Sequence, residues 1–593
     1  MMTMRPDVGC AEVWEQKEET IMTVEETMAG TCEEKGLSRR SFLGGSALAL
    51  AGAVTTALVG CSGSENVQRG EGQAATSNNV VWDDETDIIV VGAGGAGLSA
   101  GITVATEGLG ECILFEAAPE ERMGGNTRVS GQCVFIPKSV EGAIEYQTNL
   151  NGPYEVEPEL VRAWAENICE NLDWLTDLGL ELEKTSAYSP EWPDVPGCDD
   201  AQVYLVEGVM SHMILWDRLK EVADDYELDI RCDSRVRDLV FDPVTKEVFG
   251  VKVEVSGSET FVKARKGVVL ACGGFENDAE LMKTYQTIGY PHNIPFGTPY
   301  NRGDGIRMAQ RIGAKLWHMN SFAMSGYAIR PCTEGEDADA GGVLYLDTHD
   351  YLFVGSDAKR FAYEEAVSIG RHGKDLVGGA SVTEGTISPA FLIIGQGAFD
   401  SRLICFDEYP DGWPACFPDF FCTTNQALVD AGLMAKGETI EELAEQLGLN
   451  PTVLANTVKT YNDHAAVGED PDFGRGTPVY GGFDTSQGAT DGDAATPTIE
   501  AFDLVALEGP YYGIPIGSGI INTQGGPKRD VAGNIVDVDE NPIPRLYGAG
   551  EFGTIYSYSY NGGGNVSEAL SSGRLAARSV GALESWDVAG TRA

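Results

Sequence analysis

The feature that most constrains this chain is a six-residue turn, Gly92-Ala93-Gly94-Gly95-Ala96-Gly97, set between two apolar runs. Before it stands Asp87-Ile88-Ile89-Val90-Val91, the short apolar run of a buried parallel strand. After it, residues 96–107 read as a helix and 112–115 as a second strand that ends at Glu116. Gly92 permits the tight turn, Gly94 lets backbone approach a pyrophosphate, and Gly97 lets helix and strand pack closely. Gly95 and Ala96 open the helix, whose free N–H groups and partial positive charge suit phosphates. Glu116, about 20 residues past the turn, is placed to accept hydrogen bonds from ribose hydroxyls. A glycine-rich loop alone says little. Strand, turn, helix, strand and acid in this order define a dinucleotide site.

Composition fits a glycine-rich α/β protein, with 74 glycines and 42% apolar residues among 593. That length allows two to four domains or one large two-domain enzyme. The 41 Lys and Arg face 91 Asp and Glu, a formal net charge of −50. Such a surface repels nucleic acid and anionic lipid, so neither is expected as a partner, and an anionic substrate would need local positive charge. The 13 cysteines include no C-x-x-C pair and no C-x-x-C-H haem attachment site. Cys416 and Cys422 form the only close pair in the second half, and their spacing matches no common metal site. Scattered thiols are the expected state, although export would permit disulfides.

The N-terminus carries an address. Ser38-Arg39-Arg40-Ser41-Phe42-Leu43 is a twin-arginine pattern, and residues 43–59 are small and apolar but too weakly hydrophobic for a membrane span. Leu58-Val59-Gly60-Cys61 resembles a lipoprotein processing box, with Cys61 as the lipidated residue. Twin-arginine export carries folded proteins, so the expected location is extracytoplasmic, in the periplasm or cell envelope, with membrane contact only through a lipid anchor at Cys61. The acidic stretch before Ser38 leaves Met22 and Met28 open as alternative starts. Residues 1–60 form the signal segment, and 61–82 read as a flexible tether.

A second group of motifs separates FAD from NAD. Gly124-Gly125-Asn126-Thr127, followed by Ser130-Gly131, resembles the G-G-N-T/S…S-G stretch of the fumarate reductase flavoprotein family, which includes urocanate reductases and 3-ketosteroid dehydrogenases. Val268-Val269-Leu270-Ala271-Cys272-Gly273-Gly274-Phe275 resembles that family's returning strand, with Ala271, Gly273 and Gly274 at the cofactor. Leu546-Tyr547-Gly548-Ala549-Gly550-Glu551 resembles its C-terminal flavin motif, and Gly563-Gly564-Asn565 leads into a helix over 567–580. The likeness runs in order through most of 85–580.

The resemblance implies non-covalent FAD and an α/β fold in which a Rossmann-type, glutathione-reductase-like FAD domain is split by an inserted α+β capping domain. The expected parts are 83–316 and 506–593 for the FAD domain and 317–505 for the substrate-covering cap. The last helix would aim its N-terminus, around Asn565 and Val566, at the flavin N1/O2 edge. In the cap, Lys359-Arg360-Phe361-Ala362-Tyr363-Glu364 resembles the family's G-x-R-F-x-x-E, with Ala358 for glycine, and 439–447 and 452–464 read as amphipathic helices. All of this reads as scaffold. Gly488-Ala489-Thr490 resembles a covalent FMN attachment site, but no FMN domain surrounds it, so it is read as loop.

Members of that family reduce or create a carbon–carbon double bond beside a carbonyl, at flavin N5. Their fumarate and urocanate reductases show H-H-T-x-G-G where this chain has Ile521-Asn522-Thr523-Gln524-Gly525-Gly526. They also show H-G-x-N-R-x-G-G-N, where Ser557 replaces the histidine and Asn561 the carboxylate-clamping arginine. Losing that clamp costs roughly 1.5–3 kcal/mol of ground-state binding, so a small dicarboxylate is disfavoured. The segment Tyr556-Ser557-Tyr558-Ser559-Tyr560-Asn561-Gly562-Gly563-Gly564 instead resembles the T-Y-P-G-x-G of 3-ketosteroid dehydrogenases. Carried over, the Tyr560 hydroxyl and the Gly564 N–H form an oxyanion hole for an enolate. The alternative is that Tyr560 packs on the flavin.

The reaction also needs an acid/base for the second carbon. Tyr327 is the first choice, with Arg371 or Arg402 in reserve, while Ser325 stands where fumarate reductases have a second carboxylate-binding histidine. His318 and His464 are expected to satisfy local hydrogen bonds. Together these readings point to an exported FAD-dependent oxidoreductase that reduces an enone or enoate. A small molecule is its substrate, and a separate cytochrome or quinol-linked protein is its electron donor. The alternatives are a 3-ketosteroid-type dehydrogenase, a fumarate- or urocanate-type reductase, and a non-catalytic flavin electron carrier.

Overall fold

The computed structural model describes residues 80–587 apart from 186–188, 210–212, 287–290, 296, 332–340, 345, 347, 365–373, 378–379, 384–388, 402, 405–421, 477–478, 481–497 and 500–503. The twin-arginine segment, Cys61, Gly488-Ala489-Thr490, Cys416 and the two reserve acids, Arg371 and Arg402, lie outside the described residues.

Seven elements position the site: β1 (Asp84–Val91), α1 (Gly95–Glu107), β2 (Cys112–Phe115), β3 (Ser258–Leu270), β4 (Tyr511–Thr523), β5 (Pro542–Gly548) and α2 (Gly564–Gly581). The first sheet runs Asn534–Val536, β5, β3, β1, β2, Asp229–Arg231. Its central strands are parallel and in register, with Val90 opposite both Leu114 and Val269, and Tyr547 opposite Val269. The last four residues of β1 are all buried, as a strand covered on both faces requires. A hairpin, Ser234–Phe241 and Val248–Val255, pairs antiparallel with the early half of β3.

α1 begins directly after the turn, and its first ten residues are buried. It is closed by Gly108 in the left-handed conformation. Its N-cap, Gly94, has no side chain to offer the leading N–H groups, and the Gly95 N–H is taken instead by the Thr127 hydroxyl. α2 packs along α1, and a Cβ at Gly573 would collide with the Ala96 carbonyl. These two helices and β1 share one apolar core that contains Ile88, Val90, Leu98, Leu570 and Ala577.

The second sheet runs Gly342–Val343, Phe322–Ile329, β4, Ala390–Ile394, Tyr351–Gly355, with Ile294–Pro295 and Ala435–Gly437 also paired to β4. β4 is its axis: the N-terminal part meets Ala390–Ile394 and the C-terminal part meets Phe322–Ile329, ending at Thr523 beside the first sheet's loops. Two helices stand outside this sheet, Ile440–Leu447 capped by Thr439 and Pro451–Val467 capped by Asn450, each cap accepting a backbone N–H. Arg360 grips Glu364 and Asp470, and Arg475 reaches Glu364, all with side chains 5% exposed or less. The expected scaffold motif thus forms a closed charge network. Among the described residues all seven cysteines are free thiols, and no helix is long and apolar enough to cross a membrane.

Candidate functional site

One cavity gathers the loops at the C-terminal ends of β1, β3 and β5. Its wall includes Gly92, Gly94, Gly95, Ala96 and Glu116 from the fingerprint. The second motif adds Gly125, Asn126, Thr127, Ser130 and Gly131. Ala271, Gly273, Gly550, Glu551, Asn565 and Val566 complete the sequence-predicted set on the wall.

Three predicted glycines, Gly97, Gly124 and Gly274, are not on that wall, and two of them are kept small by packing. A Cβ at Gly97 would collide with the Gly92 carbonyl, and one at Gly274 with Glu276 and Thr523. Gly124 stands at φ 124° and N-caps the short helix Gly125–Arg128.

The nucleotide end is preorganised. Glu116 accepts the Ala93 N–H on Oε2 and the Ala118 N–H on Oε1, both at 2.8 Å. Burial pushes its carboxyl above the usual range, partly offset by these backbone donors. The Thr127 hydroxyl oxygen accepts the Gly95 N–H at 3.1 Å, which ties the second motif to the start of α1. Gly94 lies close under Gly124, where a Cβ would stand 3.4 Å from its carbonyl oxygen. Asn565 donates from Nδ2 to Asn522 Oδ1 at 3.0 Å, while its own buried Oδ1 has no protein partner. A glycine-capped helix start, a buried acid at the end of β2, and an orphaned amide oxygen on the wall fit an FAD.

Sequence reasoning missed Ser234, Arg235, Thr298, Tyr300 and Asn301, which also line the cavity. Ser234 and Arg235 open a hairpin strand and the other three lie in a loop, none of them in a motif, and only the fold brings them here.

The other end of the wall is made by Ile521, Asn522, Tyr560, Gly562 and Gly563. Tyr560 is held from behind, because Trp192 Nε1 donates to its carbonyl at 3.1 Å. Asn561 Oδ1 accepts from the Tyr146 hydroxyl at 2.9 Å and the Glu191 N–H at 3.0 Å. Glu191 Oε2 in turn accepts the Gly562 N–H at 2.6 Å. The amide at the clamp position is therefore engaged in structure. Ser557 likewise turns to the Tyr154 carbonyl, at 2.6 Å.

Two expectations about catalysis need correction. The Gly564 N–H donates to the Asn561 carbonyl at 2.9 Å, closing the turn that opens α2, so it is not offered to a substrate oxygen here; Gly562 and Gly563 are the glycines on the wall. Tyr327 is fully buried in the second sheet's core, edge-on to Phe353 and Phe361, and does not line the cavity. His318 fills the role expected of it, with Nδ1 2.8 Å from the Thr554 carbonyl.

A family model described as an FAD binding domain matches residues 87–567. The digoxin reductase of Eggerthella lenta is 26% identical, across 94% of this chain and 100% of its own length. The urocanate reductase of the same organism is 25% identical, across 84% and 75%. The crystal structure of 3-ketosteroid delta1-dehydrogenase from Sterolibacterium denitrificans matches with a TM-score of 0.62 at 19% identity, covering 84% of this chain and all of that one.

Proposed function

The chain belongs to the FAD binding domain family and is an FAD-dependent oxidoreductase of carbon–carbon bonds, and from that premise we propose that it reduces a double bond conjugated to a neutral carbonyl. When bound, FAD supplies hydride exchange with the substrate carbon. The chain's own residues bind, orient and exclude water. The observation that carries the reading is the substrate wall around Tyr560. Asn561, at the position of the carboxylate-clamping arginine, is spent on Tyr146 and Glu191. Asn522, at the position of a carboxylate-binding histidine, is paired with Asn565. With no cation at either position, and a phenol on Tyr560, this wall suits a ketone oxygen better than a carboxylate.

Tyr560 is the residue that orients that oxygen, and residues 317–505 are the cap, whose strands join β4 and Ile294–Pro295 in the second sheet. The resemblance around Tyr560 also favours a second reading, a dehydrogenase that introduces the bond. The enzyme is exported through the twin-arginine segment and held at Cys61. FAD is bound without a covalent link, and a separate cytochrome or quinol-linked protein supplies electrons.

A single panel tests the substrate reading. Anaerobic holoenzyme receives reduced viologen with fumarate, urocanate, cinnamate-type acids or 3-ketosteroids, and a dye acceptor with saturated ketones. Turnover of enones without fumarate is the expected result. Fast fumarate turnover would overturn it, and turnover only with saturated ketones would establish the dehydrogenase.

A further inference from the structure

Two acids outside the chemistry above share the side-chain amides of Asn126 and Asn301. Asn126 Nδ2 donates to Glu276 Oε1 at 3.1 Å and to Glu551 Oε1 at 2.9 Å. Asn301 Nδ2 donates to the same two oxygens, at 2.7 and 2.8 Å. Thr523 adds its hydroxyl to Glu276 Oε2 at 3.0 Å. Each amide nitrogen thus spans both carboxyls, which places them side by side, and all these partners are neutral.

The charged groups on neighbouring elements are engaged elsewhere. Asp278 pairs with Arg307, Asp304 with Arg235, and Arg529 with Glu568. Arg302 donates to the Pro299 carbonyl, and Arg128 to the carbonyls of Glu121 and Met123. Glu116 faces its own two backbone N–H groups.

The pair also borders the start of α1. Gly550 is packed against Ala96, where a Cβ would stand 2.9 Å from the alanine's own, and Glu551 follows directly. Asn126 follows Gly125, whose added Cβ would lie 3.5 Å from Gly94. The helix start that suits a diphosphate is therefore flanked by two carboxyls, with no cation between them among the described residues.

We propose that Glu276 and Glu551 together keep one shared proton at neutral pH, and that this proton lets the site accept the dianionic diphosphate of FAD. With both ionised, the buried Glu276 and the half-buried Glu551 would carry like charges that face each other and the phosphates. With one proton held between them, the pair carries a single charge, and a neutral carboxyl can donate. Burial and then the charge of Glu276 push Glu551 up to about 8, and burial raises Glu276 as well. Above that range, each FAD bound must be accompanied by the uptake of one proton from solvent. The inference rests on FAD filling the cavity, and does not depend on the substrate class proposed above.

The test is the pH dependence of FAD release from full-length holoenzyme, read at equilibrium after dilution by the recovery of flavin fluorescence. The dissociation constant should be level below about pH 7 and rise roughly tenfold per pH unit above about 8. In Glu551→Gln the curve should stay level over that span. In Glu276→Gln the curve should stay level as well, because Glu551 alone, even when ionised, carries only the single charge that the protonated pair carries. A level wild-type curve, or an undiminished rise in Glu551→Gln, overturns the proposal. Should Glu551→Gln not fold, Glu276→Gln decides alone: a rise at the wild-type pH overturns the sharing.

Discussion

At Tyr560, backbone and side chain answer to different parts of the chain: the ring lines the cavity, while the carbonyl is fixed by the Trp192 indole. The two can be tested separately. Tyr560→Phe keeps the ring and removes the hydroxyl, so turnover should fall at least tenfold, as loss of an oxyanion donor does, with FAD content unchanged. An unchanged rate would leave Tyr560 as packing. Trp192→Phe leaves a buried carbonyl without its donor, which should cost about 1–3 kcal/mol of stability in denaturant unfolding.

His318 gives a prediction in pH. Burial holds its imidazole down to about 4, so it is neutral in the folded state where an unfolded histidine would protonate. Its contribution is present above the unfolded value of about 6.5 and is lost as pH falls toward 4, up to about 3 kcal/mol. His318→Gln should flatten that part of the melting-temperature profile. An equally steep acid limb in the variant would remove His318 as its cause.

Among the elements, α1 and α2 carry the cofactor site between them, and their contact is glycine on backbone. Gly573→Ala would push on the Ala96 carbonyl, at the helix start that the cavity uses. Overpacking of this kind costs about 1–3 kcal/mol, and both melting temperature and FAD retention should fall together. A stable variant with loosened FAD would instead place the strain in the turn alone. The same elements show why some of the site was legible in sequence. β1, the turn, α1 and β2 are consecutive, so each glycine's task follows from its neighbours along the chain. The floor under Tyr560 depends on Glu191 and Trp192, which sit in an irregular loop and are joined to it across some 370 positions. Nothing local marks them. Tyr327 stands away from the wall for a different reason. Its strand pairs with β4 through register shifts on both sides of Met324, and each one-residue slip exchanges the two faces of a strand. Likeness of the neighbouring sequence, which is what points to Tyr327, cannot follow a side chain through two such irregularities.

Over the whole molecule the dominant fact is the charge of −50, which composition alone displays. Self-repulsion of that size opposes the compact state, and salt screens it over a Debye length of about 10 Å at 0.1 M. Melting temperature should therefore rise as salt is added at neutral pH. The same field attracts a cationic electron donor, and screening slows such an encounter. If a basic cytochrome reduces this enzyme, the second-order rate of flavin reduction should fall with ionic strength while thermal stability climbs. Stopped-flow reduction and calorimetry on one salt series separate the two effects. A reduction rate that rises with salt alongside stability would argue that the donor is acidic, and a rate level in salt that it is neutral; either would mean that the acidic surface serves solubility rather than docking.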